Sequence, residues 1–151
     1  MKMNNSLFFI MLSLLAGAMI PFQSAMNAQL GKSLQSPYFS ALVVFIVAVI
    51  GLALYIFASG CSSPSVAQFA AAPKWSYLGG LFGGTYILLI VICAPKLGIG
   101  NVTVMILLGQ IIAALIIDQF GMLNSVKHAV NWQRLIGVAL LLTGVYLVKK
   151  Y

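Results

Sequence analysis

Acidic side chains are almost absent from this sequence, in which Asp118 is the only aspartate or glutamate among 151 residues. Charged residues of either sign make up 6% of the chain and hydrophobic residues 62%, and the mean hydropathy is +1.09. Soluble globular domains carry about 25% charged residues. The shortage of charge excludes an ordinary soluble globule and predicts an integral membrane protein.

Histidine and cysteine are scarce as well. The single histidine, His128, has no partners at metal-ligand spacing, and the chain has no paired carboxylates, no nucleophile with a base and no phosphate loop. We therefore expect no enzyme, no cofactor and no metal site. Cys61 and Cys93 are expected at opposite membrane faces, too far apart for an intrachain disulfide, which needs the two Cα atoms within about 7 Å.

Basic residues give the chain a formal net charge of +7, but they are scattered singly between apolar runs, apart from Lys149 and Lys150. Such residues are typical of anchors at the edges of a lipid bilayer. Without a basic cluster interleaved with aromatic residues, the sequence gives no support for nucleic-acid binding.

The hydrophobic runs predict one all-α membrane domain, residues 1–151, since about 20 residues are needed for each span. The start of the first span imitates a secretory signal peptide, but its apolar character continues past the small residues where cleavage would occur, so we expect it to remain a span. The five predicted spans cover residues 6–30, 37–58, 75–94, 100–120 and 132–150.

The fourth span ends with the only acidic residue. On a helical wheel, Thr103, Gln110, Ala114 and Asp118 fall in one narrow sector of an otherwise apolar helix. An ionisable residue within a span indicates an ion or substrate pathway. Alternatively, Asp118 lies near the end of the span as a solvated residue that pairs with Lys127 or Arg134.

The first span also has a polar face, with Asn27 on it and Gln23 at its edge, and Pro21 is expected to kink the helix. These two amides either line a solute path or form hydrogen bonds between helices. The second span has few polar residues, Ser40 among them, and is expected to serve packing.

Between the second and third spans, residues 65–72 are predicted to form a short helix capped by Ser63, with Pro64 in its first turn. Pro95 is predicted to end the third span. Small residues on two spans predict surfaces for helix packing, or in the third span for sliding during transport: Gly79, Gly80, Gly83, Gly84, Gly137 and Gly144.

With five spans, the basic residues divide equally between the membrane faces, four and four. The positive-inside rule then favours neither orientation. We therefore expect the chain to insert both ways and to pair with an inverted copy of itself or an inverted homologue. Such a pair would have the inverted-repeat architecture of many secondary transporters, with a solute site at the interface. One face carries Lys2, Lys74, Lys127 and Arg134, and the other Lys32, Lys96, Lys149 and Lys150.

From about Gly17 to Val148 the sequence resembles the YdcZ-type family of bacterial inner-membrane proteins in the drug/metabolite transporter superfamily. The most specific block is Gly109-Gln110 followed by Asp118-x-Phe120-Gly121. The other matching motifs are Pro21-x-Gln23-x3-Asn27-x2-Leu30-Gly31, Pro37, Gly79-Gly80-x2-Gly83, Ala94-Pro95-x-Leu97-Gly98 and Arg134-x2-Gly137.

The resemblance implies five helices that form half of a ten-helix fold, an inverted dimer, a bacterial inner-membrane location and an exporter of unestablished substrate. The related small multidrug resistance proteins carry a glutamate in their first helix. The first span here has no carboxylate, so that coupling arrangement is not expected.

Two functions remain open at this stage. The first is a secondary transporter of a small metabolite or drug-like solute, with Gln23, Asn27 and Gln110 lining the path and Asp118 coupling to protons or binding a cationic group. The second is a non-transporting membrane subunit that stabilises or regulates a partner protein.

Overall fold

The computed structural model describes the backbone of residues 2–150 and the side chains from Ser6 to Lys150. Every regular element in this part of the chain is helical. Short 3-10 turns occur at Lys74–Leu78 and Met122–Asn124. The all-α prediction is confirmed for this part of the chain. The α-helices are α1 (Lys2–Ser33), α2 (Pro37–Ser59), α3 (Val66–Ala71), α4 (Gly79–Leu97), α5 (Ile99–Phe120) and α6 (Trp132–Lys150).

Five segments among the described residues are long and apolar enough to cross a membrane. Each has a mean hydropathy of at least 1.2 in its most apolar window, and the highest value, 2.9, belongs to α2. The prediction of five spans is confirmed. The segments are Ser6–Ser33, Pro37–Ser59, Lys74–Leu97, Ile99–Phe120 and Trp132–Lys150.

Proline, serine and glycine fix the ends of α2. The Ser36 Oγ accepts a hydrogen bond from the Phe39 N–H at 3.4 Å, and Pro37 occupies the first turn, where a missing N–H costs no helical hydrogen bond. The helix ends at Gly60, which has a φ of 65°. This left-handed conformation favours glycine.

The prediction that Pro95 ends the third span is wrong, because α4 continues through Pro95 to Leu97. Proline lacks an N–H and so leaves one carbonyl of the preceding turn without its helical partner, but so near the helix end this affects a single bond. Only Gly98, with a φ of 83°, separates α4 from α5.

The predicted cap of the short interfacial helix is also wrong. Ser65, and not Ser63, precedes α3, and its Oγ accepts a hydrogen bond from the Gln68 N–H at 3.3 Å. The Gln68 Oε1 accepts a hydrogen bond from the Ser65 N–H at 2.7 Å. This reciprocal pair is a capping box, which Ser63 has no glutamine or glutamate at the right spacing to form.

Within the described residues the chain divides into two compact units, one of residues 22–96 and one of residues 2–21 and 97–150. The division lies in α1 directly after Pro21, where the missing N–H interrupts the helical hydrogen bonds. The expectation of one membrane domain stays a prediction.

In the unit of residues 22–96, the second half of α1 packs against the start of α2 and the end of α4. Ser40 is fully buried, and its Oγ donates a hydrogen bond to the Asn27 carbonyl oxygen at 2.8 Å. The other buried side chains of this unit are small or β-branched for the most part, which lets the helices approach closely. They are Ser24, Asn27, Ala28, Ala41, Ile90, Val91 and Ala94.

Candidate functional site

Asp118 lies in the last turn of α5, which ends at Gly121 with a left-handed φ of 60°. After this turn the chain folds back, and the His128 N–H donates a hydrogen bond to the Asp118 carbonyl oxygen at 2.9 Å. The Val130 N–H donates to the Gln119 Oε1 at 2.6 Å. These two bonds hold the loop of residues 121–131 against the end of α5 and so determine where α6 begins.

Asn131 caps α6, since its Oδ1 accepts a hydrogen bond from the Arg134 N–H at 2.9 Å. Arg134 therefore lies in the first turn of α6 and faces the last turn of α5. Its Nη1 lies 3.1 Å from the Asp118 Oδ2 and donates a hydrogen bond to it. Of the two partners considered for Asp118, Lys127 and Arg134, the structure selects Arg134.

The Asp118–Arg134 ion pair is partly accessible. The side chains are 33% and 35% exposed, respectively, and a single nitrogen–oxygen contact joins them. A pair so exposed contributes little to stability, about 0–1 kcal/mol. Asp118 is neither buried nor fully solvated, so the group remains within reach of a proton or of a solute.

A groove of about 380 Å³ runs from the ion pair between α5 and α6. Its two charged side chains stand at one end, and the remaining walls are apolar or glycine. Within the groove, Asp118 and Arg134 are the only charged side chains. The lining residues besides the pair are Ile111, Ala114, Leu115, Gly137, Val138 and Leu141.

Gln110 lies in a second groove of the same unit, about 390 Å³ in volume, between the first half of α1 and α5. Two hydroxyls in this groove are already bonded to their own helices, Ser13 to the Phe9 oxygen at 2.8 Å and Thr103 to the Ile99 oxygen at 2.8 Å. The Gln110 amide is exposed and has no hydrogen-bond partner among the residues described.

The predicted polar stripe of α5 is thus divided between two grooves. Thr103 and Gln110 line the groove beside α1, whereas Ala114 and Asp118 line the groove beside α6. Gln110 and Asp118 are eight residues apart, about 12 Å along the helix axis.

The other two predicted path residues, Gln23 and Asn27, belong to the unit of residues 22–96. Asn27 is buried, 6% exposed, beside Ser40, whereas Gln23 is exposed. A common path through Gln23, Asn27, Gln110 and Asp118 stays a prediction.

The glycines of α4 differ in their surroundings. A Cβ on Gly83 or Gly84 would lie 3.9 or 4.0 Å from the ring of Phe45, which packs across them from α2. A Cβ on Gly79 or Gly80 would have no atom within 4 Å, and the same holds for Gly137 and Gly144 of α6. These four positions face open space.

Sequence reasoning missed Tyr86, whose Oη is buried on α4 without a hydrogen-bond partner among the residues described. A tyrosine within an apolar run is the only signal the sequence offers. His128 is exposed, Cys61 and Cys93 are free thiols, and the described residues hold no cluster of three or more metal-ligating side chains.

A family model described as "Putative inner membrane exporter, YdcZ" matches residues 8–147. The chain belongs to this family. The match extends from Phe8 in α1 to Leu147 in α6 and makes the chain a multi-pass protein of the inner membrane, in a family described as exporters. Comparison with curated proteins and with solved structures finds no match.

Proposed function

We propose that the chain is a secondary exporter of a small metabolite or drug-like solute and that its working unit is an antiparallel pair, either a homodimer or a dimer with an inverted homologue. Membership of the exporter family supports export. The equal division of basic residues between the membrane faces supports dual orientation. Room beside Gly79, Gly80, Gly137 and Gly144 supports association with a second molecule.

The observation that carries the proposal is the position of Asp118. The only carboxylate of the chain stands in a mostly apolar groove, one-third exposed, with one contact to Arg134. An ionisable residue placed at the end of a membrane helix and beside an apolar groove indicates an ion or substrate pathway.

This arrangement provides a coupling step. When the Asp118 carboxylate takes up a proton, it loses its charge attraction to Arg134, and the contact that joins the end of α5 to the start of α6 weakens. A cationic group of the solute would have the same effect by replacing Arg134 beside Asp118. Proton and solute then compete for one carboxylate, which is the requirement for antiport.

The Gln110 groove supplies the uncharged part of the path. Its amide offers two N–H donors and one carbonyl acceptor, and the surrounding residues are mostly apolar. This composition fits a small solute with a few hydrogen-bonding groups on an apolar body.

The test is proton flux in proteoliposomes that contain only this protein and enclose the pH-sensitive dye pyranine. Organic cations, neutral amides and carboxylic acids of low molecular mass are added in turn. We expect at least one class to change the internal pH, and Asp118→Asn to abolish that change while Lys127→Gln preserves it. If Asp118→Asn shows the same change of internal pH as the wild-type protein, Asp118 has no part in coupling.

Orientation is tested separately, with reporters active in the cytoplasm or in the periplasm fused after Tyr151. Comparable signals from both support dual topology. A signal from one reporter only contradicts the homodimer and directs the search to an inverted homologue. No flux for any solute class, together with stable capture of another membrane protein, would favour the role of a non-transporting subunit.

A further inference from the structure

A third groove, about 320 Å³ in volume, lies within the unit of residues 22–96, where the C-terminal ends of α1 and α4 meet. Its floor is apolar and buried, and two exposed lysines, Lys32 and Lys96, stand on its walls in the last turns of the two helices. The lining residues are Ala28, Gly31, Lys32, Pro37, Val91, Ile92, Pro95 and Lys96.

Within the unit of residues 22–96, these two lysines have no anionic partner. Residues 22–96 contain no aspartate or glutamate, and the only carboxylate side chain of the whole sequence, Asp118, is paired with Arg134 in the other unit. The helix C-termini carry only partial negative charge. An anion that neutralises these two lysines would therefore have to come from outside this unit.

We propose that this groove binds an anionic phospholipid, with the phosphate between Lys32 and Lys96 and an acyl chain along the apolar floor. Two positive charges beside an apolar surface fit a molecule that has an anionic headgroup and an acyl chain. Basic pockets between membrane helices attract anionic lipid headgroups, and the helix ends place the lysines at headgroup depth. Ala28, Gly31 and Val91 continue the groove as an apolar surface, which a free phosphate would leave uncovered.

Close packing below the lysines keeps this floor shallow and fixed. Gly31 and Val91 approach so closely that a Cβ on Gly31 would lie 2.7 Å from the Val91 Cγ1. The closely packed floor offers an acyl chain a continuous apolar surface. The proposal does not depend on transport.

The experiment measures binding of phosphatidylglycerol and of phosphatidylcholine to the purified full-length protein in detergent by native mass spectrometry. We expect phosphatidylglycerol to bind, and the double variant Lys32→Gln/Lys96→Gln to bind it roughly tenfold to thirtyfold more weakly. The matched control Lys149→Gln/Lys150→Gln loses the same charge at the end of α6 and should bind as wild type does. Lys32→Arg/Lys96→Arg should also retain binding.

The floor is tested with Ile92→Trp, which narrows the groove without changing charge and should weaken phosphatidylglycerol binding. Inorganic phosphate in excess should not displace the lipid. The proposal is overturned if the two lipids bind equally to the wild-type protein, or if both double glutamine variants lose binding equally. It is also overturned if inorganic phosphate displaces the lipid fully, because the site then binds free anions.

Discussion

A Cβ on Gly31 would lie 2.7 Å from the Val91 Cγ1, well inside the ordinary carbon–carbon contact distance of about 3.5–4.0 Å. On its other side the same Cβ would lie 3.6 Å from the Ser40 Cβ. Val91 is only 3% exposed and has little room to move. Gly31 is therefore a position at which α1 closely approaches both α2 and α4.

Replacing Gly31 with alanine should destabilise this unit. The added methyl overlaps Val91, and overpacking of this kind costs about 1–3 kcal/mol. Adding Val91→Ala removes the overlapping carbon and should restore part of the loss. Thermal unfolding of the purified protein in detergent measures both. Gly51→Ala is the control, since a Cβ there meets no atom within 4 Å. Equal melting temperatures for Gly31→Ala and Gly51→Ala would contradict the assignment.

Ser40→Ala should weaken the contact between α1 and α2. The variant removes the fully buried hydroxyl that donates to the Asn27 carbonyl oxygen at 2.8 Å. Hydrogen bonds between membrane helices contribute about 0.6 kcal/mol on average and up to about 2 kcal/mol. The matched control is Ser59→Ala, whose exposed hydroxyl contacts only nearby residues of the chain, the Ile56 oxygen and the Cys61 Sγ, each at 3.1 Å. A melting temperature lowered equally by both variants would show that the bond from Ser40 to Asn27 stabilises the protein no more than a local bond at an exposed position does.

Tyr86→Phe should leave stability unchanged or raise it. The Tyr86 Oη is buried without a partner among the described residues, and an unsatisfied buried hydroxyl costs about 1–3 kcal/mol that the variant removes. Tyr55→Phe, at an exposed position of α2, serves as control. A melting temperature lowered by Tyr86→Phe alone would reveal a partner for the hydroxyl, such as a bound water or solute, in the working protein.

The hydrophobic runs sufficed to predict the five spans, because length and hydropathy alone decide which segments cross a bilayer. They did not predict that α4 continues through Pro95. The helix ends only two residues later, so the proline costs a single helical hydrogen bond, and the sequence does not show how close the helix end lies. Nor did they separate Ser63 from Ser65 as the cap of α3. The reciprocal bond with Gln68 decides that choice, and it depends on a spacing of three residues.

The site was predictable only in part. Helical periodicity placed Gln110 and Asp118 in one sector of α5, but periodicity gives no information about the neighbouring helices, which divide that sector between two grooves. The choice of Arg134 over Lys127 depends on the fold of the loop of residues 121–131. Two hydrogen bonds hold that loop, from the His128 N–H to the Asp118 carbonyl oxygen and from the Val130 N–H to the Gln119 Oε1, and neither leaves a recognisable pattern in the sequence.

Gly80→Ile should prevent pairing of two molecules without disturbing the fold of one. A side chain at Gly80 meets no atom within 4 Å, so it extends into space reserved for a partner helix under the dimer proposal. Gly51→Ile is the control, since its surroundings are equally open. Molecular mass measured by light scattering in detergent should fall to that of the monomer for Gly80→Ile only. A dimer that persists in Gly80→Ile would place the interface elsewhere.

The ion pair of Asp118 and Arg134 should matter far more for transport than for stability. Both side chains are about one-third exposed, so Arg134→Gln should change the unfolding free energy by about 1 kcal/mol or less. Transport should be lost, because the proposed coupling step breaks and re-forms the contact between Asp118 and Arg134, and this contact is absent from the variant. The double variant Asp118→Asn/Arg134→Gln leaves no unpaired charge and should match wild-type melting while showing no pH-dependent flux. If Arg134→Gln retains both flux and its pH dependence, Arg134 is only an anchor at the membrane edge and Asp118 acts without it.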